Sequence, residues 1–233
     1  MLAVTAGVLT ADEAKVFQCD FSSGVSPQVS AAPVTAYNAG AVITAADRGK
    51  AIRVGKKADG TLPRLVFRLK KRAAAGKTPF PLTAGRLTFR FRPVDWKIGS
   101  PAFNMLLSLN GSGKGRLHVI YLVPKVTGKP SLQLCYGAPG LPVQPQKVPA
   151  LFPFVPVDST QEWHEVEIIW NEASLSITVD GESQLVDTAA LELPKDFVAD
   201  NLLLGSYSAN TLAGLTDIAE ICIYAETAEE SEK

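Results

Sequence analysis

Alternating apolar and polar residues recur along the chain and predict β-strands. In residues 64–70 and 85–92, every second side chain is large and apolar, and most of the side chains between them are basic. A period of two places the apolar set on one face of a strand and the basic set on the other. No long segment shows the 3.6-residue period of an amphipathic helix. The pattern therefore predicts an all-β protein.

Two pairs of apolar runs are predicted to form hairpins. Residues 105–109 and 116–123 flank the segment 110–115, which begins with Asn-Gly, a turn signal because both residues tolerate positive φ. Residues 163–170 and 175–179 flank a second short turn, and Asp-Gly follows the later run. Antiparallel strands joined by such short turns are neighbours in one sheet.

The second hairpin supplies part of the predicted core. Its apolar side chains should be buried between two sheets, whereas Glu165 and Glu167 should point to solvent. The residues predicted to be buried are Trp163, Val166, Ile168, Trp170, Leu175, Ile177 and Val179. The last strands are expected at residues 201–205 and 218–224.

Two segments lack the strand pattern. Residues 22–47 are rich in Ser, Ala and Pro and are predicted to form a loop region. Residues 137–159 contain six of the 16 prolines. Because proline cannot donate a hydrogen bond to a neighbouring strand, we expect this segment at a sheet edge, in a surface loop or as an extended cover.

Five pieces of the sequence, in this order, are similar to those of a known family. They are an aromatic strand ending in proline (85–93), Trp-His-x-Val (163–166), a strand ending in Val-Asp-Gly (175–181), Leu-Gly (204–205) and Gly-x-x-Asp-x-x-x-Ile (214–221). Their order and spacing resemble the laminin-G-like members of the concanavalin A-like lectin and glucanase superfamily. The fold hosts many functions, so the resemblance bears on fold more than on activity.

The resemblance implies a two-sheet antiparallel jelly-roll β-sandwich over residues 15–225. Residues 1–14 are interpreted as the remnant of a signal segment, because residues 2–11 are apolar like the end of a signal peptide. Residues 226–233 are interpreted as an acidic C-terminal tail. These readings together place the protein outside the cell or in the cell envelope.

The composition is that of one globular domain. Of the 233 residues, 46% are apolar, and 23 basic side chains balance 23 acidic ones. Zero net charge argues against nucleic acid as a partner. No run approaches the ~20 continuous apolar residues of a membrane span, so membrane insertion is not expected. The three widely spaced cysteines fit neither a zinc knuckle nor a redox pair, and the sequence leaves the oligomeric state open.

The nearest approach to a glycosidase site is Glu165 with Glu167. A retaining glycosidase needs two carboxyl groups about 5–5.5 Å apart, and the glucanases of this superfamily supply them from one strand with the pattern Glu-x-Asp-x-x-Glu. Trp170 stands where the third acid would be. We therefore expect no catalytic residues, and a glycoside hydrolase or lyase with an unrecognised active site is the alternative.

The sequence predicts no cofactor. His118 and His164 lie on separate predicted strands, and no further ligand motif accompanies them. Asp217 loosely matches the place where relatives hold a structural calcium ion, so calcium binding is the alternative there to a turn-capping role.

Basic and acidic residues are segregated along the chain. Residues 48–97 hold 15 of the 23 basic side chains, and residues 158–233 hold 17 of the 23 acidic ones. If the early strands are neighbours, their basic side chains form a face for an acidic polysaccharide. If early strands lie beside late ones, the charges pair across the sheet, which is the interpretation we favour. The residues concerned are Arg68, Lys70, Arg90 and Arg92.

The resemblance implies a non-catalytic carbohydrate-binding or cell-envelope interaction module with a polysaccharide or glycan as partner. A purely structural or self-associating module is a further interpretation. Aromatic rings stack on sugar rings, and arginines hydrogen-bond to polar groups. The candidate ligand-binding residues are Arg68, Arg90, Arg92, Trp96, Tyr121 and Tyr136.

Overall fold

Two antiparallel β-sheets with a shared apolar core make up the described part of the chain, which confirms the predicted all-β, two-sheet sandwich. The computed structural model describes residues 13–70, 79–81, 84–96, 103–110, 116–122, 131–137, 154–156, 161–171, 174–187, 199–206 and 214–226. No helix long and apolar enough to cross a membrane occurs among these residues.

The described residues form sixteen β-strands. They are β1 (Glu13–Cys19), β2 (Val29–Ser30), β3 (Val34–Ala39), β4 (Val42–Ala45), β5 (Lys50–Lys56), β6 (Arg64–Leu69), β7 (Gly85–Pro93), β8 (Phe103–Asn110), β9 (Arg116–Leu122), β10 (Ser131–Gly137), β11 (Phe154–Pro156), β12 (His164–Trp170), β13 (Ser174–Val179), β14 (Glu182–Asp187), β15 (Asn201–Leu204) and β16 (Gly214–Glu226).

The order of strands in each sheet mixes early and late parts of the chain. The nine-stranded sheet runs β14-β13-β12-β7-β16-β1-β2, with β5 also paired to β16 and β4 paired to β5. The seven-stranded sheet runs β11-β10-β9-β8-β15-β6-β3. The basic strand β7 therefore lies between β12 and β16, which bring acidic residues from late in the chain. The basic strand β6 lies in the other sheet.

Both predicted hairpins are confirmed. Strands β8 and β9 pair antiparallel, with Asn110 opposite Arg116 at the turn. In the second hairpin, the apolar residues face each other as Val166–Val179, Ile168–Ile177 and Trp170–Leu175. Glu165 is exposed and Glu167 is partly exposed. The predicted register of this hairpin is therefore correct.

The prediction of a loop region at residues 22–47 is wrong. Strands β2, β3 and β4 lie within it, and all six residues of β3 pair with β6 at the edge of the seven-stranded sheet. An edge strand has a neighbour on one side only and buries few large side chains. Small and polar residues are therefore tolerated in it, and the alternating apolar pattern that predicts a strand is weak. In the proline-rich segment, β11 pairs with β10 and forms the opposite edge, while most of the segment lies outside the described residues.

The core lies between the sheets and contains six of the seven residues predicted for it. Val166, Ile168, Trp170 and their partners on β13 are at most 3% exposed. Trp163 is only partly buried, which corrects that prediction. It precedes β12 and lies on the outer face, where the guanidinium groups of Arg90 and Arg92 cover its ring at 4.9 Å and 5.1 Å.

Candidate functional site: a cross-strand groove

Five neighbouring strands of the nine-stranded sheet each place one small or polar side chain in a row across its outer face. Successive members are directly opposite one another in the strand register. They are Thr178, Glu167, Thr88, Cys222 and Gln18. Strands are about 4.8 Å apart, so the row spans roughly 19 Å. We call the depression above it the cross-strand groove.

The row from Thr178 to Gln18 is the floor of the groove. The next row of outward-facing side chains on the same strands lies along one side of this floor. It consists of Ile169, Arg86, Tyr224 and Lys15. The guanidinium of Arg86 lies over the Tyr224 ring, 4.0 Å from its centre. Arg86 also donates hydrogen bonds to Glu13 at 2.6 Å and to Glu167 at 3.3 Å. These contacts hold the Arg86 guanidinium between the Tyr224 ring and two carboxylates.

The turn between β4 and β5 forms the other side of the groove. Asp47, in this turn, accepts two hydrogen bonds from Arg90 Nη2, at 2.7 and 2.5 Å. Its neighbour Arg48 donates to the carboxylate of Glu165. Glu220 accepts a hydrogen bond of 3.0 Å from Arg90 Nη1. Two guanidinium groups thus meet three carboxylates along this wall.

Arg48 divides the groove into two compartments. The compartment over β12 and β13 has a volume of about 380 Å³, and the one over β1 and β16 has a volume of about 440 Å³. Arg48, Thr88 and Glu220 line both of them. The side chain of Arg48 is 58% exposed. Because the two compartments share these lining residues, they are parts of one surface feature.

Unusual backbone conformations concentrate at the groove. Within the described ranges, three non-glycine residues have φ in the left-handed region: Phe21 at 62°, Asp180 at 51° and Glu220 at 52°. Asp180 and Glu220 line the groove, and Phe21 lies between the lining residues Asp20 and Ser22. Such conformations cost about 1–3 kcal/mol each and cluster at binding sites in proteins.

A β-bulge directs Glu220 toward the groove. Between Ala219 and Cys222, strand β16 has one residue more than the facing part of β7. A bulge of this kind re-aims a side chain out of the regular alternation. The extra residue brings the Glu220 carboxylate to Arg90 on the outer face.

The surroundings hold two carboxyl groups of the groove in the ionised form. Burial raises the pKa of Asp47, but its hydrogen bonds from Arg90 and from the Arg48 amide outweigh that effect and lower it overall. Hydrogen bonds from the hydroxyl and amide of Ser22 lower the pKa of Asp20. A carboxyl group with a lowered pKa is a poor general acid near neutral pH.

The structure separates the arginines that the sequence grouped together. Arg90 lies in the groove, and Arg92 donates to Asp217 in a bond of 2.6 Å. Arg68 and Lys70 are exposed on or beside β6 of the seven-stranded sheet, where no described carboxylate pairs with them. The favoured cross-strand pairing is therefore right for Arg90 and Arg92, and the four side chains do not form one face.

The three aromatic candidates do not form a sugar-stacking surface among the described residues. Trp96 is 9% exposed, stacks on Phe91 with ring centres 5.9 Å apart, and donates to the Thr216 hydroxyl at 3.0 Å. The expectation that Trp96 meets a ligand is thus corrected, because both ring and N–H are engaged in the core. The side chains of Tyr121 and Tyr136, on β9 and β10, lie outside the described residues.

The residues considered as metal ligands have other roles. Asp217 is fully buried and accepts hydrogen bonds from Arg53 at 2.8 and 2.9 Å as well as from Arg92. It is therefore neither a turn cap nor available to calcium. His164 is buried against Phe91, and its Nδ1 lies 2.6 Å from Asp180 Oδ2. In the described part of the chain, no three His, Cys, Asp or Glu side chains are placed to hold a metal ion.

Several residues that shape the groove were not indicated by the sequence. Thr88 and Thr178 are ordinary outward-facing strand residues, and only strand order shows that they are aligned. Arg48 directly follows the segment predicted as a loop region, residues 22–47. The bulge at Glu220 has no signature in a single sequence. Of the residues that line the groove, the sequence singled out Arg90, the pair Glu165 and Glu167, and the Asp180-Gly181 turn.

Comparison with known proteins identifies the fold. No protein-family model matches the chain, and no curated protein sequence matches it. Among solved structures, the receptor-binding domain of botulinum neurotoxin D aligns with a TM-score of 0.59 and 11% identity over 92% of this chain and 50% of that one. A structure of botulinum neurotoxin type C, whose cell entry depends on interaction with two ganglioside molecules, aligns with a TM-score of 0.61 and 8% identity over 93% of this chain and 48% of that one.

A third similar structure contains a sugar. It is the ligand-binding domain of botulinum neurotoxin serotype D in complex with N-acetylneuraminic acid, with a TM-score of 0.57 and 11% identity over 92% of this chain and 48% of that one. The chain thus spans about half the length of these toxin domains. At this level of identity the likeness shows a shared β-sandwich fold and no more.

Proposed function

We propose that this protein is a non-catalytic carbohydrate-binding or cell-envelope interaction module, of the laminin-G-like type within the concanavalin A-like superfamily, acting outside the cell or in the cell envelope. The observation that supports it is the cross-strand groove, about 19 Å long, with a floor of small polar side chains and walls of guanidinium and carboxylate groups. Sugars present alternating donors and acceptors, which such a lining can satisfy. The toxin domains of similar fold, which bind gangliosides and a sialic acid, support a glycan as partner.

The charge of the groove favours a glycan without acidic groups, unlike the N-acetylneuraminic acid bound to the serotype D toxin domain. Arg48 and Arg90 are already paired with the carboxylates of Asp47, Glu165 and Glu220, and Arg86 is paired with those of Glu13 and Glu167. An added anion would lie next to more negative than positive charges, and such a contact is repulsive. Nucleic acid and acidic polysaccharides are therefore excluded from the proposal at this site.

Oligosaccharide binding in the groove is expected to depend on an open floor. We expect a panel of uncharged cello-, xylo-, manno-, laminari- and chito-oligosaccharides to contain a ligand measurable by calorimetry. Thr88→Trp should fill the floor and weaken its binding at least about tenfold, equivalent to about 1.4 kcal/mol. Thr35→Trp is the matched control, because Thr35 is an exposed strand residue of the other sheet. Equal binding by both variants would place the ligand elsewhere.

A basic face is the competing location. If alginate binds in a salt-sensitive way and Arg68→Ala abolishes that binding, the ligand is acidic and the site is on the seven-stranded sheet. That outcome would overturn the proposal for the groove.

We expect the protein not to hydrolyse any oligosaccharide of the same panel. Glu165→Gln and Glu167→Gln should leave the release of reducing sugar at background, because both carboxylates are engaged by Arg48 and Arg86. Reducing-sugar assays on wild type and the two variants measure this. Hydrolysis by the wild type that either single variant loses would identify the protein as a glycoside hydrolase.

A further inference from the structure

Arg90 has a hydrogen-bond donor that the protein leaves unused. Its side chain is 6% exposed, and both terminal nitrogens are bound to carboxylates, those of Asp47 and Glu220. Among the described residues, Arg90 Nε has no hydrogen-bond partner. A buried, charged donor without a partner is costly, so such groups in native proteins have a reason, often a ligand or an ordered water.

The carboxylate of Glu165 is placed beside this donor but does not satisfy it. Glu165 Oε1 lies 3.8 Å from Arg90 Nε, beyond hydrogen-bond distance. The Glu165 side chain is 67% exposed, and both residues line the same compartment of the groove. The donor and the acceptor lie side by side without a hydrogen bond between them, so a hydroxyl group that accepts from Arg90 and donates to Glu165 would satisfy both.

We propose that Arg90 Nε and the Glu165 carboxylate form a subsite for one hydroxyl group of a bound sugar. The hydroxyl oxygen accepts from Arg90 Nε, and its hydrogen is donated to Glu165. This inference rests on the proposed function, and it deepens it by naming the contact that selects among glycans. Arg48, which bonds to Glu165 and is mostly exposed, would give way as the sugar enters.

Other ligand groups fit this position less well. A carboxylate or sulfate would accept from Arg90 but would meet Asp47, Glu165 and Glu220 within the same cluster. An ammonium group would suit the acids but would leave the Nε donor of Arg90 unpaired. A neutral hydroxyl supplies both halves of the contact. A sugar ring is not expected to stack on Trp163 at this position, because the guanidinium groups of Arg90 and Arg92 cover the indole ring.

The test compares the effect on binding of removing one sugar hydroxyl, of removing the Glu165 carboxylate, and of removing both. Methyl glucoside, methyl mannoside, methyl galactoside and the monodeoxy form of each are titrated into the full chain. Binding is followed by NMR, with the indole N–H signal of Trp163 as reporter because Arg90 lies 4.9 Å from its ring. For the parent sugar that binds, we expect one deoxy form to bind about tenfold to a hundredfold more weakly, as for loss of a hydrogen bond to a charged group.

Three variants locate the contact. In Glu165→Ala, the difference in affinity between the parent and that deoxy form should become smaller, because the hydroxyl keeps its bond from Arg90 Nε but has lost its acceptor. In Arg48→Ala the discrimination should persist, which separates the subsite from the Arg48–Glu165 ion pair. Glu182→Ala, an exposed change on β14 outside the groove, should match wild type. Discrimination that is undiminished in Glu165→Ala would overturn the subsite.

The two proposals can fail separately. If the oligosaccharide panel yields a groove ligand but no methyl hexoside shifts the Trp163 signal, the subsite is wrong and the proposed function stands. If no sugar of either set binds, both are wrong.

Discussion

Trp170→Ala is expected to lower the free energy of unfolding by about 3–5 kcal/mol, as large-to-small changes of buried aromatics do. Trp170 is the largest of the fully buried side chains in the described structure, at 1% exposed. It lies opposite Gly85, and a Cβ at that glycine would come within 2.9 Å of its ring. The backbone has thus been shaped around the indole, so removing it leaves a cavity that neighbouring strands cannot easily close. Chemical denaturation of the two proteins measures the difference.

Trp163→Ala is the matched control for that prediction. It removes the same side chain from the outer face of the sheet, where Trp163 is only partly buried and contacts two arginines. We expect a loss of about 1–2 kcal/mol, from partial burial and the two cation–π contacts. Equal losses for the two tryptophans would mean that Trp170 does not anchor the core.

Much of the sandwich was predictable because its inner strands are half-buried. A strand with one face in the core repeats large apolar residues at a period of two, as β7 and β12 do, and that signal needs no knowledge of neighbours. The edge strands gave no such signal. β3 buries only the small and medium side chains Val34 and Ala36 against the core, so its composition resembled a loop.

The groove was not predictable because it depends on strand order. Thr88, Glu167 and Cys222 are more than 130 residues apart from first to last in the sequence, and they are neighbours only because β7 is inserted between β12 and β16. The charge segregation along the chain did indicate this arrangement in outline. It indicated pairing between early arginines and late acids, and Arg90 with Glu220 is such a pair. Which carboxylate meets which arginine was set by a turn and a bulge, and neither can be read from composition.

Asp217→Asn is expected to destabilise the protein by about 2–4 kcal/mol at neutral pH. Asp217 has no exposed surface, and its carboxylate accepts from both Arg53 and Arg92. Removing one partner of a buried ion pair leaves the other charge without compensation, typically at about 3–5 kcal/mol. The two arginine side chains are 33% and 31% exposed, so water compensates part of that loss and we expect a smaller effect.

The pH dependence tests whether charge is the cause. Burial raises the pKa of Asp217, but the hydrogen bonds from Arg53 and Arg92 outweigh it and leave the pKa below its usual value. An acid whose pKa is lowered by folding stabilises the protein at pH values above its unfolded pKa of about 3.9, and this stabilisation is lost as the pH falls through the folded pKa. The difference between wild type and Asp217→Asn should therefore be largest at pH 7 and shrink steadily at acid pH, because protonation gives wild type an equally neutral side chain. Denaturation at pH 7 and at successively lower pH measures it, with Glu182→Gln as an exposed control that should follow wild type throughout. A difference that stays constant with pH would show that the shape of the side chain, and not its charge, holds Arg53 and Arg92 in place.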